Sequence, residues 1–316
     1  MCTFASFRGP NQTGMLKKMR FSFSLRKTKS TFFLLCLLSF ALSAARAQSL
    51  AVTLTPAVVL AGSPELIRVS VADAAAIDGV WLDRKMEFFR GRDEQSWFAL
   101  AGVDVDSPVG PSVLKLTIHD ADGGTRSLRH AVRIHPSHYP SSSLTVAPEF
   151  IQPGPDALKQ IDADQLLIQK AYESSAPQPL WKGNFHAPVN SPQSERFGTR
   201  RIFNGTLASN HKGLDFRAPP GTPVRASNSG VVVLANPLYY AGNCVIIDHG
   251  LGFYTLSMHL SRITVRVGQH VAQGQRLGLS GATGRVTGPH LHWAVRWQGA
   301  YLDPAKLLQL DLSEAR

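Results

Sequence analysis

Cysteine is scarce in this chain: 316 residues hold three, and two of them, Cys2 and Cys36, precede residue 48. From residue 48 onward only Cys244 remains, which excludes an internal disulfide framework and a cysteine-built zinc site there. Cys244 stands in the apolar run NCVIIDHG, the setting of a small buried hydrophobe rather than a nucleophile. Acidic residues are missing from residues 1–47, which hold eight basic ones: Arg8, Lys17, Lys18, Arg20, Arg26, Lys27, Lys29 and Arg46. Those eight account for most of the net charge of +11, so overall basicity does not argue for a nucleic-acid partner. The chain also lacks a phosphate-binding glycine loop, a dinucleotide fingerprint, a nucleic-acid motif and the helical HExxH of many zinc peptidases. No run reaches the roughly 20 apolar residues that a membrane-spanning helix needs.

The first 47 residues read as an export signal. The basic stretch leads into the apolar run TFFLLCLLSFAL (31–42), followed by ARA (45–47) before Gln48. Basic segment, short apolar core and small-residue exit are the parts of a secretory signal peptide, so residues 1–47 are expected to be removed, leaving an exported protein with no transmembrane segment. The long basic segment is consistent with translation starting at Met15 or Met19. Cys36 follows Leu35 inside the apolar run, which argues against a lipid-anchored cysteine.

The whole chain is 44% hydrophobic, with 26 glycines and 20 prolines, a composition suited to a β-rich, turn-rich protein. Residues 48–137 contain LIRVSV (66–71), WFALAGV (97–103), VLKLTI (113–118) and LRHAVRI (128–134), separated by turn signals such as AGSP and DADGG. That pattern predicts a β-sandwich-like N-terminal domain without catalytic residues. His119, His130, His135 and His138 lack ligand spacing and read as surface or packing residues. Residues 138–180 form a linker that opens on HPSHYPSSS and carries a helix over 156–173, with Asp156 as its cap. From 181 to 310 the chain returns to glycine-bounded strands, a second β domain.

Two motifs in that second domain carry chemistry. GPHLHWAV (288–295) puts His290 and His292 two apart, on one face of a strand and about 6–7 Å from each other. Taken alone, such a pair is as well explained by two hydrogen-bonded structural histidines. Upstream, NHKGLDFRAPPGTPV (210–224) holds His211 and Asp215, and the neighbouring Gly213 and APPG argue against a helix. A hydrogen-bonded His–Asp pair explains that motif alone. Together the motifs supply two imidazoles and one carboxylate, the donor set of a catalytic zinc that keeps one position open. Spacing leaves open which histidine of HLH joins His211 and Asp215; the other, or His259 in YTLSMHLS, is a candidate for proton transfer. His186, His249 and His270 read as loop or turn residues.

Residues 185–306 resemble the lysostaphin-type (LytM-like) zinc peptidases that cut peptidoglycan cross-links. The resemblance runs through FGTRRIFNG, HKGLDFRAPPGTPVRASNSGVVVLA, GNCVIIDHGLGFYTLSMHLS, VRVGQHVAQGQRLGLSGATGRVTGPHLHW and LDPAKLL, in order and at family spacing. It implies a C-terminal antiparallel β metallopeptidase domain, one Zn2+ per chain held by His211, Asp215 and His292, and catalytic roles for His259 and His290. It implies peptidoglycan peptide stems as the substrate, with D-Ala–diaminopimelate bonds favoured because no wall-targeting module follows LDPAKLL. The arrangement of a preceding β domain and helix resembles exported Gram-negative members, some of which act as non-catalytic activators of other wall hydrolases. A regulatory protein partner, or an exported protein as substrate, is compatible with the same motifs. Two positions depart from the usual pattern: Ser257 stands where tyrosine is common, an expected change in groove packing, and Trp293 stands where phenylalanine is common.

Overall fold

A computed structural model of the protein describes residues 50–173, 175–205 and 207–315. The predicted export signal lies outside the described residues.

The N-terminal region is built from two antiparallel-rich sheets. One orders the strands Ala51–Thr55, Pro64–Ser70, Ser96–Gly102 and Phe89–Arg90; the other orders Val59–Leu60, Thr125–His135, Gly110–Asp120, Ala74–Trp81 and Arg84–Glu87. Period-two alternation turns Leu114, Leu116 and Ile118 inward from one strand and Ile77 and Trp81 from its neighbour, and all five are buried. They share a core with Ile67, Val69, Phe98 and Leu100 of the other sheet, which makes the region a sandwich. The strand Ala74–Trp81 was not among the runs read from sequence. Its AAAIDGVW is poor in β-formers, and its pairing with Gly110–Asp120 places it.

After the sandwich, Ser141–Leu144 pairs in parallel with Arg200–Phe203, which pairs antiparallel with Leu207–Asn210. The helix then spans Pro155–Glu173. Asp156 lies in its first turn rather than capping it, because Leu158 N–H already donates to the carbonyl of Gly154. Proline favours the first helical position, so the helix begins one residue earlier. Its Ile168, Ala171 and Tyr172 pack against Leu234, Leu238 and Tyr254. The buried Asp164 accepts hydrogen bonds from Tyr239 N–H (2.6 Å) and Gln160 (3.0 Å).

The C-terminal region is an antiparallel sheet ordered Gln193–Glu195, Leu214–Phe216, Leu291–Trp297, Phe253–Ile263, Gly242–Asp248, Gly230–Leu238 and His270–Val271, with short strands added at its margins. Its central strands are buried almost throughout, around Phe253, Trp293 and Trp297. The molecule is thus mainly β, with a sandwich, a linking helix and an antiparallel β domain. The two β regions share one apolar core. Asp303 N–H donates to Gly62 O at 2.7 Å, and a Cβ on Gly102 would lie 2.5 Å from Leu302.

Candidate metal centre

A row of side chains crosses four neighbouring strands. Glu195 stands opposite Asp215, Asp215 opposite His292, and His292 opposite Met258. Directly opposed residues share a sheet face, and all four line one groove of about 620 Å³. His211 joins them from the turn between Leu207–Asn210 and Leu214–Phe216. Gly213 in that turn admits the approach: a Cβ there would lie 2.5 Å from the His292 ring.

Three atoms meet at the centre of this row. His211 Nε2 is 3.0 Å from Asp215 Oδ1 and 3.0 Å from His292 Nδ1, and His292 Nδ1 is 2.8 Å from Asp215 Oδ1. His211 Nδ1 lies 2.8 Å from the carbonyl of Arg196, which can only accept, so Nδ1 carries the proton and Nε2 presents a lone pair. Asp215 Oδ1 also presents lone pairs. Only one proton, on His292 Nδ1, is left for three close contacts. An electron-rich triad of that kind fits a bound cation better than it fits a hydrogen-bond network, and two imidazole nitrogens with one carboxylate oxygen suit zinc. The three residues form the group among the described residues able to hold a metal ion.

The surroundings orient the triad. Arg201 donates to Asp215 Oδ2 at 2.5 Å and to Glu195 Oε2 at 2.6 Å, so both carboxylates are held by one guanidinium. Burial alone would raise the Asp215 carboxyl; the neighbouring His211 and His292 imidazoles outweigh it and hold the group well below the usual carboxylate range. Burial drives His292 down to about 4, against the raising influence of Asp215. Its ring is therefore neutral near pH 7, as a metal ligand must be.

His259 and His290 stand beside the triad. Their ring centroids are 4.9 Å apart, and His259 is 5.9 Å from His292. His259 Nδ1 donates to Thr283 O and His290 Nδ1 to Gly288 O, each at 2.8 Å, so both rings keep Nε2 as an acceptor. Burial, followed by the neighbouring His292 and His290, drives His259 to about 3. Met258 and His259 both line the groove, although consecutive residues of a regular strand face opposite ways. His259 achieves this with φ of 62°, a conformation uncommon outside glycine, fixed by its N–H on Ala241 O. His290 lies just ahead of Leu291–Trp297, in an isolated bridge to Gly281.

Residues 209–304 match Peptidase family M23. This chain carries a peptidase family M23 domain. Over 122 residues it is 48% identical to peptidoglycan DD-endopeptidase ShyA of Vibrio cholerae, a match covering 38% of this chain and 28% of ShyA. It is 43% identical over 97 residues to DD-carboxypeptidase/endopeptidase Mpg of Neisseria meningitidis, covering 31% of this chain and 22% of Mpg. The chain therefore spans about a quarter of the length of these curated relatives. A solved structure from Pseudomonas aeruginosa assigned to peptidase M23 superimposes with a TM-score of 0.61 at 29% identity, over 79% of this chain and 94% of that one. That likeness extends beyond the M23 domain into the sandwich.

The M23 groove also contains residues that sequence reasoning did not single out. Arg201 and Glu195 sit within or beside FGTRRIFNG, yet nothing in a linear string ties them to Asp215. Ser257 corrects an expectation: it is buried opposite Val245 and Trp293 and does not line the groove, because Met258 takes the groove face. His249 is a buried packing residue, with Nδ1 donating to Ser229 O at 2.7 Å and Nε2 2.8 Å from Thr255 Oγ1.

Proposed function

We propose that the protein is an exported, periplasmic zinc endopeptidase that hydrolyses the peptide cross-links of peptidoglycan, at D-Ala–diaminopimelate bonds. The observation that carries this reading is the convergence of His211 Nε2, Asp215 Oδ1 and His292 Nδ1 within 3.0 Å of one another at the floor of an open groove. The names of the relatives matched by the M23 domain point to the same substrate. His211, Asp215 and His292 would hold one zinc per chain. Bound there, zinc would polarise the scissile carbonyl and acidify a water molecule.

The chain's own groups do the rest. His259 and His290, each fixed by an Nδ1–H bond to a backbone carbonyl, keep Nε2 free to take a proton from the attacking water. The imidazole that gains the proton returns it to the leaving amine and can donate to the developing oxyanion. Arg201, shared by Glu195 and Asp215, fixes the ligand carboxylate in direction. A non-catalytic activator would have no use for this complete set of five side chains. Digestion of purified sacculi, with products identified by mass, tests the proposal. Chelator-sensitive release of uncross-linked stem-peptide fragments is expected; intact cross-links after prolonged incubation with zinc-loaded protein would overturn it.

A further inference from the structure

Four cations line the groove, and they differ in company. Arg201 binds Glu195 and Asp215, Lys212 lies 3.7 Å from Asp106, and Arg217 is exposed to water. Arg285 is half-buried and pairs with no carboxylate among the described residues. Its guanidinium carbon lies 4.6 Å from the Tyr240 ring centroid and 4.7 Å from that of Phe203. Two aromatic contacts offset only part of what desolvating an unpaired charge costs. Burial accordingly lowers the guanidinium's pKa.

The backbone around Arg285 is rigidly placed beside the reacting centre. Arg285 N–H donates to Tyr240 O at 2.9 Å, and a Cβ on Gly284 would lie 2.3 Å from Gly242 N. Thr283, two residues earlier, supplies the carbonyl that anchors His259. Two residues of chain reach at most about 7 Å, so Arg285 springs from the wall next to the proton-transfer histidine. A planar guanidinium held against two rings keeps edge N–H groups for an in-plane anion, and carboxylate matches that fork.

We infer that Arg285 is a carboxylate-binding residue of the groove, taking a free carboxylate of the substrate peptide next to the bond to be cut. The inference rests on the peptidase reading and narrows its substrate to acidic stem peptides. Two carboxylates could supply this chemistry, that of the γ-linked D-Glu or that of diaminopimelate.

Calorimetric titration of zinc-loaded protein with L-Ala-γ-D-Glu-meso-diaminopimelyl-D-alaninamide, which keeps only those two carboxylates free, and with forms amidated at either or at both, separates them. The free acid is expected to bind about tenfold more tightly than one singly amidated form, and that form identifies the carboxylate. Arg285→Gln should equalise the peptides while retaining zinc and the near-ultraviolet spectrum of the folded protein. Arg285→Lys, which keeps the charge and loses the fork, should retain only part of the preference. Equal binding of all forms by the native protein, or an undiminished preference in either variant, would overturn the inference. Turnover of cross-linked dimers tests the parent reading separately. Discrimination in binding without cleavage would remove the peptidase reading and leave the carboxylate site; cleavage of free and amidated dimers at equal rates would do the reverse.

Discussion

The sandwich and the M23 domain differ in what they bury. Among the described residues of the sandwich, the buried polar side chains are Ser63, Glu65 and Ser96, set in a core of Ile, Leu, Val and aromatic residues. The M23 domain buries His211, Asp215, Asn228, Asp248, His249, His259 and His292. Backbone strain follows the same division. Positive φ at Asp73, Asp83 and Glu94 falls in turns of the sandwich, whereas at His259 it falls within a strand and aims an imidazole into the groove. Apolar burial drives folding in both regions, and only the M23 domain spends part of that stabilisation on desolvated, converging groups. The sandwich is therefore expected to govern stability and the groove to govern chemistry.

The largest effects should come from the proposed metal ligands. His211→Ala or Asp215→Ala should abolish zinc binding and turnover together, because a two-ligand site holds zinc poorly. Gly213→Ala should resemble them, since its Cβ would press on the His292 ring at 2.5 Å. Zinc content by mass spectrometry decides the matter: stoichiometric metal in His211→Ala would break the assignment.

Next in size are the two imidazoles assigned to proton transfer. His290→Ala and His259→Ala should keep about one zinc per chain while losing roughly 10²–10⁴ in turnover, the scale of a general acid–base group. His292→Ala should lose both. Zinc retained in His292→Ala and lost from His290→Ala would show the two roles reversed.

How legible this site was depends on the distance between its parts. The HxxxD of His211 and Asp215 is local, and Gly213 with APPG argues against a helix between them. HLH is local too, but spacing could not choose between His290 and His292. What sets His292 against Asp215 is a register, which only the pairing of two distant strands establishes. Arg201 was invisible for the same reason, since one guanidinium joins two carboxylates from separate strands. His259 was read from its motif, yet its backbone conformation has no sequence signal. In the sandwich, strands rich in Val, Ile and Leu announced themselves, whereas Ala74–Trp81 depended on its neighbour.

A core truncation probes the sandwich from the other direction. Leu114 is fully buried, so Leu114→Ala should lower stability by about 2–5 kcal/mol, read from denaturant unfolding. At temperatures where the variant remains folded, zinc content and turnover should stay at the native level. A matching fall in turnover would show that the sandwich shapes the groove, through contacts such as Asp106 with Asn210 at 2.7 Å, as well as supporting it.

Opposite pH dependences of stability are expected from the two regions. Glu65 is buried in the sandwich; Ser63 Oγ donates to its Oε1 at 2.5 Å, and its Oε2 has no hydrogen-bond partner. Burial raises its carboxyl from 4.5 to about 8, against the lowering influence of Ser63 and Lys306. The folded protein therefore keeps a proton that the unfolded chain releases. The stabilisation is complete below pH 4.5 and declines as pH rises toward 8. His249 in the M23 domain behaves in the opposite sense. Burial lowers it from 6.5 to about 4, so between those values the unfolded chain binds a proton that the folded ring does not accept. Stability from this group rises with pH from about 4 to 6.5 and is level above. Each group can contribute a slope of at most about 1.4 kcal/mol per pH unit. Relative to the native protein, Glu65→Gln should gain stability steadily from pH 5 to 8. His249→Gln, whatever its overall loss, should narrow its deficit as pH falls from 6.5 to 4. Denaturant unfolding at half-unit pH steps reads both differences; a Glu65→Gln curve parallel to the native one would show that the sandwich carboxyl is ionised in the folded protein.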